Sequence, residues 1–315
     1  MTVPRLPLPV WRLYHAALGR MAPGLAGRIA TSTFSSTRAL GTHPDDVLPL
    51  GARRFAVPGD PHIRGGYLWG EDGPTALLVH GWGTDSSRMH SLVAPLRALG
   101  YRVAAFDAPG HGVSEGTQAT MTQFTHATEA VLDALGDVRM IVAHSLGSIA
   151  AIGAVARRPE APVACLVLIA PTCTLTGVLE RWSRSELRLR RQIVERIYRE
   201  LRRRNGVPVS HWDVGGLGGN LDRPVLVIHD PRDDVVPYSE AEAVVAGLRD
   251  ARLEDAPGHG HLGILMAPAV KDLIAAFAAG HASSGPCPGD QRGVPAGDAS
   301  GVPGALTSKR PLSGT

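Results

Sequence analysis

A chain of 315 residues that is 44% hydrophobic, with a mean hydropathy of +0.01, has the apolar material for one large core or two small ones and reads as a soluble globular protein. Its net charge of +3 is unevenly placed, because Glu180 to Arg204 holds ten arginines against four glutamates, so overall basicity nominates neither a nucleic acid nor a membrane as partner. Three scattered cysteines without a Cys-x-x-Cys spacing indicate neither a disulfide framework nor a zinc ribbon, and no run approaches the roughly 18 apolar residues of a membrane span; a cytoplasmic setting without stable membrane insertion is expected.

Residues 1–49 read as an N-terminal helical extension. A short helix through Val10, Trp11, Tyr14, Leu18 and Met21 is expected to dock its apolar stripe on the domain rather than on a membrane, since the stripe is short and neighbours Pro and Gly. From 50 to 172, and again from 223 to 280, short apolar runs alternate with helical patterns. The predicted strands are Phe55–Val57, Ile63–Trp69, Ala76–His80, Arg102–Asp107, Met140–His144, Cys165–Ala170, Val225–His229 and Arg252–Glu254. The runs LLVH, VAAF, MIVAH, CLVLIA and VLVIH are nearly continuous, as strands covered on both faces require. Helices are predicted near Ser87–Leu99, Met121–Leu135, Leu146–Arg157, Ser239–Leu248 and Leu262–Ala278. The fold class is therefore α/β, a mostly parallel sheet of about eight strands with helices on both faces.

Residues 173–222 interrupt this rhythm with a strand-free, Arg-rich helical stretch, read as a small cap over the site. There Leu189, Ile193, Ile197 and Leu201 recur at i+4, with Val194 and Tyr198 beside them, leaving most arginines on the opposite face. Two readings of that face stand: a solvated surface paired with Glu180, Glu186, Glu195 and Glu200, or a patch that recruits anions. Residues 281–315, rich in Gly, Pro, Ser and Ala without periodicity, are expected to be disordered.

The chemistry concentrates at Ala143-His144-Ser145-Leu146-Gly147, between the apolar run MIVA and the helical stretch SIAAIGAVARR. A serine between small residues at a strand-to-helix turn projects its Oγ beyond the sheet edge. A hydroxyl needs a base, and the base needs an acceptor that fixes its tautomer. His261, in Gly258-His259-Gly260-His261 just ahead of the last helix, is preferred to His259 as base. Asp233, in the loop after VLVIH, is preferred to Asp230 and Asp234 as orienting carboxylate. The His-x-His pair has no further ligand cluster nearby, so neither metal nor organic cofactor is expected. Backbone N–H groups of Leu146 and of Trp82, in His80-Gly81-Trp82-Gly83, are expected to form an oxyanion hole, with Trp82 and His144 lining the substrate pocket and His80 holding the loop from beneath.

The segments LLVHGWG, VAAFDAPGHGVSEG, IVAHSLGS, PVLVIHDPRDDVVP and GHGHLGIL, in this order, resemble the α/β-hydrolase superfamily over residues 50 to 280 or so. Ser145, Asp233 and His261 occur in that family's chain order. Ala143 stands where the family usually has Gly, and Asp230 where it normally has Gly. The resemblance implies that Asp107, Gly110 and His111 shape the floor of the site. A His-Asp-x-x-Asp loop together with Ala-His-Ser-Leu-Gly resembles a largely uncharacterised subgroup, and implies hydrolysis of a carboxylic ester or thioester of a small or medium acyl substrate. The alternatives are an aminopeptidase or amidase on the same triad and a non-catalytic ligand receptor.

Overall fold

The computed structural model describes residues 7–37 and 48–281, with their side chains except those of Leu8 and Glu186. The tail expected to be disordered lies outside the described residues beyond His281.

Eight strands form one sheet: β1 (Ala52–Arg54), β2 (Gly66–Trp69), β3 (Thr75–Val79), β4 (Arg102–Phe106), β5 (Val138–His144), β6 (Cys165–Ile169), β7 (Val225–His229) and β8 (Ala251–Asp255). Their order is β1-β2-β4-β3-β5-β6-β7-β8; β1–β2 and β2–β4 are antiparallel and every later pairing is parallel. Alternate residues of the central strands feed two cores. Leu77, Val79, Leu166 and Leu168 face α4 (Met121–Leu135) and α5 (Gly147–Arg157), whereas Ala76, Leu78, Val167 and Ile169 face α3 (Val93–Ala98) and α11 (Pro268–His281). This two-sided burial explains why the strands read as unbroken apolar runs.

Several boundaries move, the second strand starting at Gly66 rather than Ile63 and the fifth at Val138 rather than Met140, and at three places local chemistry gives the reason. The first strand lies at Ala52–Arg54, not Phe55–Val57: the Phe55 N–H still donates to the Gly66 carbonyl at 3.1 Å, but Pro58 has no N–H to extend the ladder. The helix expected at Ser87–Leu99 is a 3₁₀ stretch, Ser86–Leu92, followed by α3 with Pro95 in its first turn. Beyond α9 (Tyr238–Gly247), Pro268 breaks the last predicted helix, so α10 (Gly260–Gly263) and the turn Ile264–Met266 meet α11 at 61°.

Between β6 and β7 the chain is helical: α6 (Leu175–Glu180), a π-helical turn (Arg181–Glu186), α7 (Arg191–Asn205) and α8 (Val214–Gly218). Ile193, Ile197 and Leu201 of α7 are buried and Val194 and Tyr198 half-buried, as their spacing predicts. On the polar side Arg184 pairs with Glu180, Arg191 with Glu195, and both Arg203 and Arg204 with Glu200. In the N-terminal extension, α1 (Leu8–Met21) and α2 (Pro23–Phe34) pack on each other, and α2 lies against α7. The contact is close because Gly27 lacks a side chain; a Cβ there would sit 2.7 Å from the Arg196 Cβ. No single described helix is long and apolar enough to cross a membrane.

Candidate active site

The order of β4, β3 and β5 reverses the winding of the sheet about β3, which opens a crevice at the carboxyl ends of β3 and β5. Ser145 stands there with a φ of 54°, in the left-handed region, while its N–H still donates to the Ile169 carbonyl at 3.0 Å. Space around this elbow is minimal. A Cβ on Gly147 would come within 2.3 Å of the His80 carbonyl oxygen, and one on Gly81 within 2.9 Å of His144 Nδ1. Small residues at these positions let the loop after β3 lie against the turn after β5. Ala143, in place of the family's usual glycine, is fully buried without disturbing the strand.

The three residues selected from sequence meet. His261 Nε2 lies 3.0 Å from Ser145 Oγ, and His261 Nδ1 lies 2.7 Å from Asp233 Oδ2. Asp233 Oδ1 accepts the N–H groups of Val235 and Val236 at 2.8 and 2.9 Å. Burial works to raise the Asp233 pKa, but its bonds to His261 and to these amides hold it below the usual carboxylate value. The competing acids do other things. Asp230 is buried and accepts the N–H of Arg232 at 2.9 Å, of His259 at 2.7 Å and of Gly260 at 2.6 Å, pinning the loop that carries His261 to the end of β7. These donors overcome burial and keep its carboxyl strongly acidic. Asp234 is exposed at the rim of the cavity, and His259 is exposed.

His144 does not line the pocket. It is buried, and its Nε2–H donates to the His261 carbonyl at 2.9 Å, which makes it a second anchor of the loop that carries His261. Sequence reasoning missed this role because the acceptor lies 117 residues away in the chain. His80 does sit beneath its loop: Nδ1–H donates to the Gly81 carbonyl at 2.7 Å and Nε2 accepts the Ala108 N–H at 3.1 Å. Of the residues expected to shape the floor, none lines the cavity: Asp107 accepts the N–H groups of Ser86 and Val113, His111 is buried, and Gly110 presents its carbonyl to the Thr37 hydroxyl.

These buried imidazoles set a pH dependence. Burial lowers the pKa of His80, His144 and His229, that of His144 to about 3 with a further contribution from neighbouring His261. The unfolded chain therefore binds more protons below the ordinary value of 6.5, and stability falls as pH drops from there toward each folded value. The depressed carboxyls of Asp230 and Asp233 add to the loss at lower pH. Calorimetry between about pH 7 and pH 4 should show a steadily falling unfolding temperature. His144→Gln, which keeps an N–H donor but cannot take up the proton, should flatten the slope; an unchanged slope would remove His144 from the account.

A cavity of about 550 Å³ opens above Ser145 and His261. Its walls come from three parts of the chain: Phe34, Ser35 and Ser36 at the C-terminal end of α2; Trp82, Met121 and Leu146 in the core; and Leu175, Val178, Trp182 and Leu201 between β6 and β7. Phe34 and Trp182 touch ring to ring at 5.1 Å. The Trp82 indole N–H donates to the Ser36 carbonyl at 3.2 Å, tying the loop after β3 to the N-terminal extension. Among the described residues, no acceptor engages the backbone N–H of Trp82 or of Leu146. The contribution of residues 33–36 had no signal in sequence, since nothing local marks that stretch as facing a distant serine. Arg181 reaches the same cavity but is paired with Glu240, which also accepts the Cys173 N–H at 2.7 Å. Among the described residues no group of three or more metal-ligating side chains occurs.

A mostly parallel sheet carries a serine at a tight strand-to-helix turn, within hydrogen-bond reach of a histidine that in turn meets a carboxylate with no exposed side-chain surface. Residues 73–213 match the hydrolase family described as serine aminopeptidase, S33. An uncharacterised protein of Mycobacterium tuberculosis is 29% identical over 74% of this chain and 75% of its own length. A pimeloyl-[acyl-carrier protein] methyl ester esterase of Aromatoleum aromaticum is 27% identical over 62% of this chain and 94% of its own. Among solved structures, Est1E from Butyrivibrio proteoclasticus superimposes with a TM-score of 0.56 at 19% identity, covering 74% of this chain and 99% of that one. The chain has the fold of the α/β-hydrolases and is similar to them in sequence, as an ester-hydrolase-like enzyme.

Proposed function

We propose that this enzyme cleaves a carboxylic ester or thioester of a small or medium acyl substrate through an acyl-enzyme on Ser145. The observation that carries the reading is the unbroken chain Asp233–His261–Ser145 ending in an apolar cavity. Ser145 Oγ attacks the acyl carbon while His261 Nε2 takes its proton, and Asp233 holds Nδ1–H and offsets the charge on the imidazolium. The N–H groups of Leu146 and Trp82 receive the oxyanion, a contribution worth about 10²–10³ in rate per donor. The histidine returns the proton to the leaving alcohol or thiol, and water, activated in the same way, releases the acid.

Esterase-named relatives support this reading. The name of the matched family favours a second, aminopeptidase-like reading, in which an acid must hold the substrate's amine. Asp234 is exposed and Glu240 is committed to Arg181 and the Cys173 amide, so neither makes a convincing amine site. Aryl esters of increasing chain length, acyl thioesters and aminoacyl amides, tested on wild type and Ser145→Ala, separate the two: preference for the amides would overturn the ester reading. A fluorophosphonate probe should label Ser145; folded protein that resists labelling would favour a ligand receptor. Phe34→Ala should shift preference toward longer acyl chains by about tenfold, because the lost ring leaves room for about two methylenes at about 0.8 kcal/mol each. An unchanged ratio of short to long acyl substrates would exclude the N-terminal extension from selecting the acyl group.

A further inference from the structure

The outer face of α1 is apolar and faces solvent. His15 and Gly19 turn inward, and Gly19 sits close enough to α7 that a Cβ there would touch Ile193 at 3.4 Å. Val10, Leu13, Tyr14, Ala17 and Met21 therefore point outward, spaced i, i+3, i+4, i+7 and i+11, and Leu25 of α2 is exposed as well. The expected docking of the stripe holds only in part: Leu18 packs against the core and Trp11 is half-buried, but Val10, Tyr14 and Met21 are exposed, as is neighbouring Leu13, with Leu13 and Met21 at 72% and 85%. Residues 7–37 contain Arg12, Arg20 and Arg28 and no acidic residue. The Arg12 guanidinium donates to the Ser185 carbonyl at 3.3 Å, and Ser185 lines the cavity above Ser145.

We propose that α1 is a docking surface for an anionic lipid bilayer, on which the enzyme rests with the cavity mouth beside the membrane. Half a dozen apolar side chains fall short of the roughly 20–30 residues a side that a stable protein interface uses, whereas one helix face is enough for interfacial binding. An apolar stripe among cations without acids matches a bilayer of negative surface charge. The helix lies in the interface plane rather than across it, consistent with its 14 residues. The surface stands apart from the triad, so the docking does not depend on which bond Ser145 cleaves.

The test is co-sedimentation of the full chain with vesicles of phosphatidylcholine alone and of phosphatidylcholine mixed with phosphatidylglycerol. The full chain should bind the mixed vesicles at least about tenfold more tightly, and salt should weaken the binding. Leu13→Glu with Met21→Glu should abolish it while leaving hydrolysis of a water-soluble aryl ester, assayed without vesicles, unchanged; Arg20→Ala with Arg28→Ala should remove the preference for phosphatidylglycerol. Failure to bind either vesicle overturns the proposal, as does equal binding to both. So does a dimer in sedimentation velocity that the double glutamate variant splits, because the stripe would then belong to a second copy of the chain.

Discussion

Replacing Ser145 by alanine is expected to lower turnover of a short aryl ester by about 10⁴-fold or more, because the acyl-enzyme can no longer form and only binding and oxyanion stabilisation remain. The substitution should leave the fold intact. Ser145 Oγ contacts His261, and alanine should accept the serine's backbone at φ 54°, since the N–H to Ile169 and the packing of Gly147 and Gly81 hold the turn whatever the side chain. Circular dichroism and thermal unfolding should therefore match wild type while the rate collapses. A folded variant with full activity would reject Ser145 as nucleophile.

The two aspartates after β7 should part company in a paired experiment. Asp233→Asn is expected to cost about 10³–10⁴ in kcat with little loss of stability, because the amide N–H would donate to His261 Nδ1, hold the imidazole in the wrong tautomer and fail to stabilise the imidazolium. Asp230→Ala removes the acceptor of three backbone N–H groups and should destabilise the fold by about 2–4 kcal/mol, with activity falling as the loop at His261 loosens. Asp230→Asn, which keeps one acceptor oxygen, should recover part of both. Stability is read by denaturant titration and turnover by the aryl ester. If Asp230→Asn abolished turnover in a fully stable protein while Asp233→Asn did not, the assignment of the two carboxylates would be exchanged.

The parts read correctly from sequence are those whose physics is local. Val225–His229 is strand end to end and Met121–Leu135 helix end to end, because an uninterrupted apolar run and a Thr120–Gln123 capping box with Gly136 at the other end each specify their own element. Where a proline intervened, at Pro58, Pro95 and Pro268, the period of the flanking residues misled, since hydrophobic spacing is blind to a missing N–H. Among the acids, sequence narrowed the orienting residue to three neighbours. Only the fold shows that Asp230 faces the backbone of the 258–260 loop while Asp233 faces the ring of His261.

Sequence by itself determined the alternating architecture, the serine at a strand-to-helix turn, and the chain order of Ser145, Asp233 and His261. Each follows from residue types within a few positions of one another. Only the tertiary structure decided that Phe34 and Ser36, over a hundred residues before the elbow, wall the cavity, that His144 holds the backbone of His261 rather than lining the cavity, and that much of the apolar face of α1 looks outward. These depend on which surface of one element meets another, and that is settled by shape, as where Gly19 lets α1 close on α7 and Gly27 lets α2 do the same, not by the hydrophobic pattern that a helix carries along its own length.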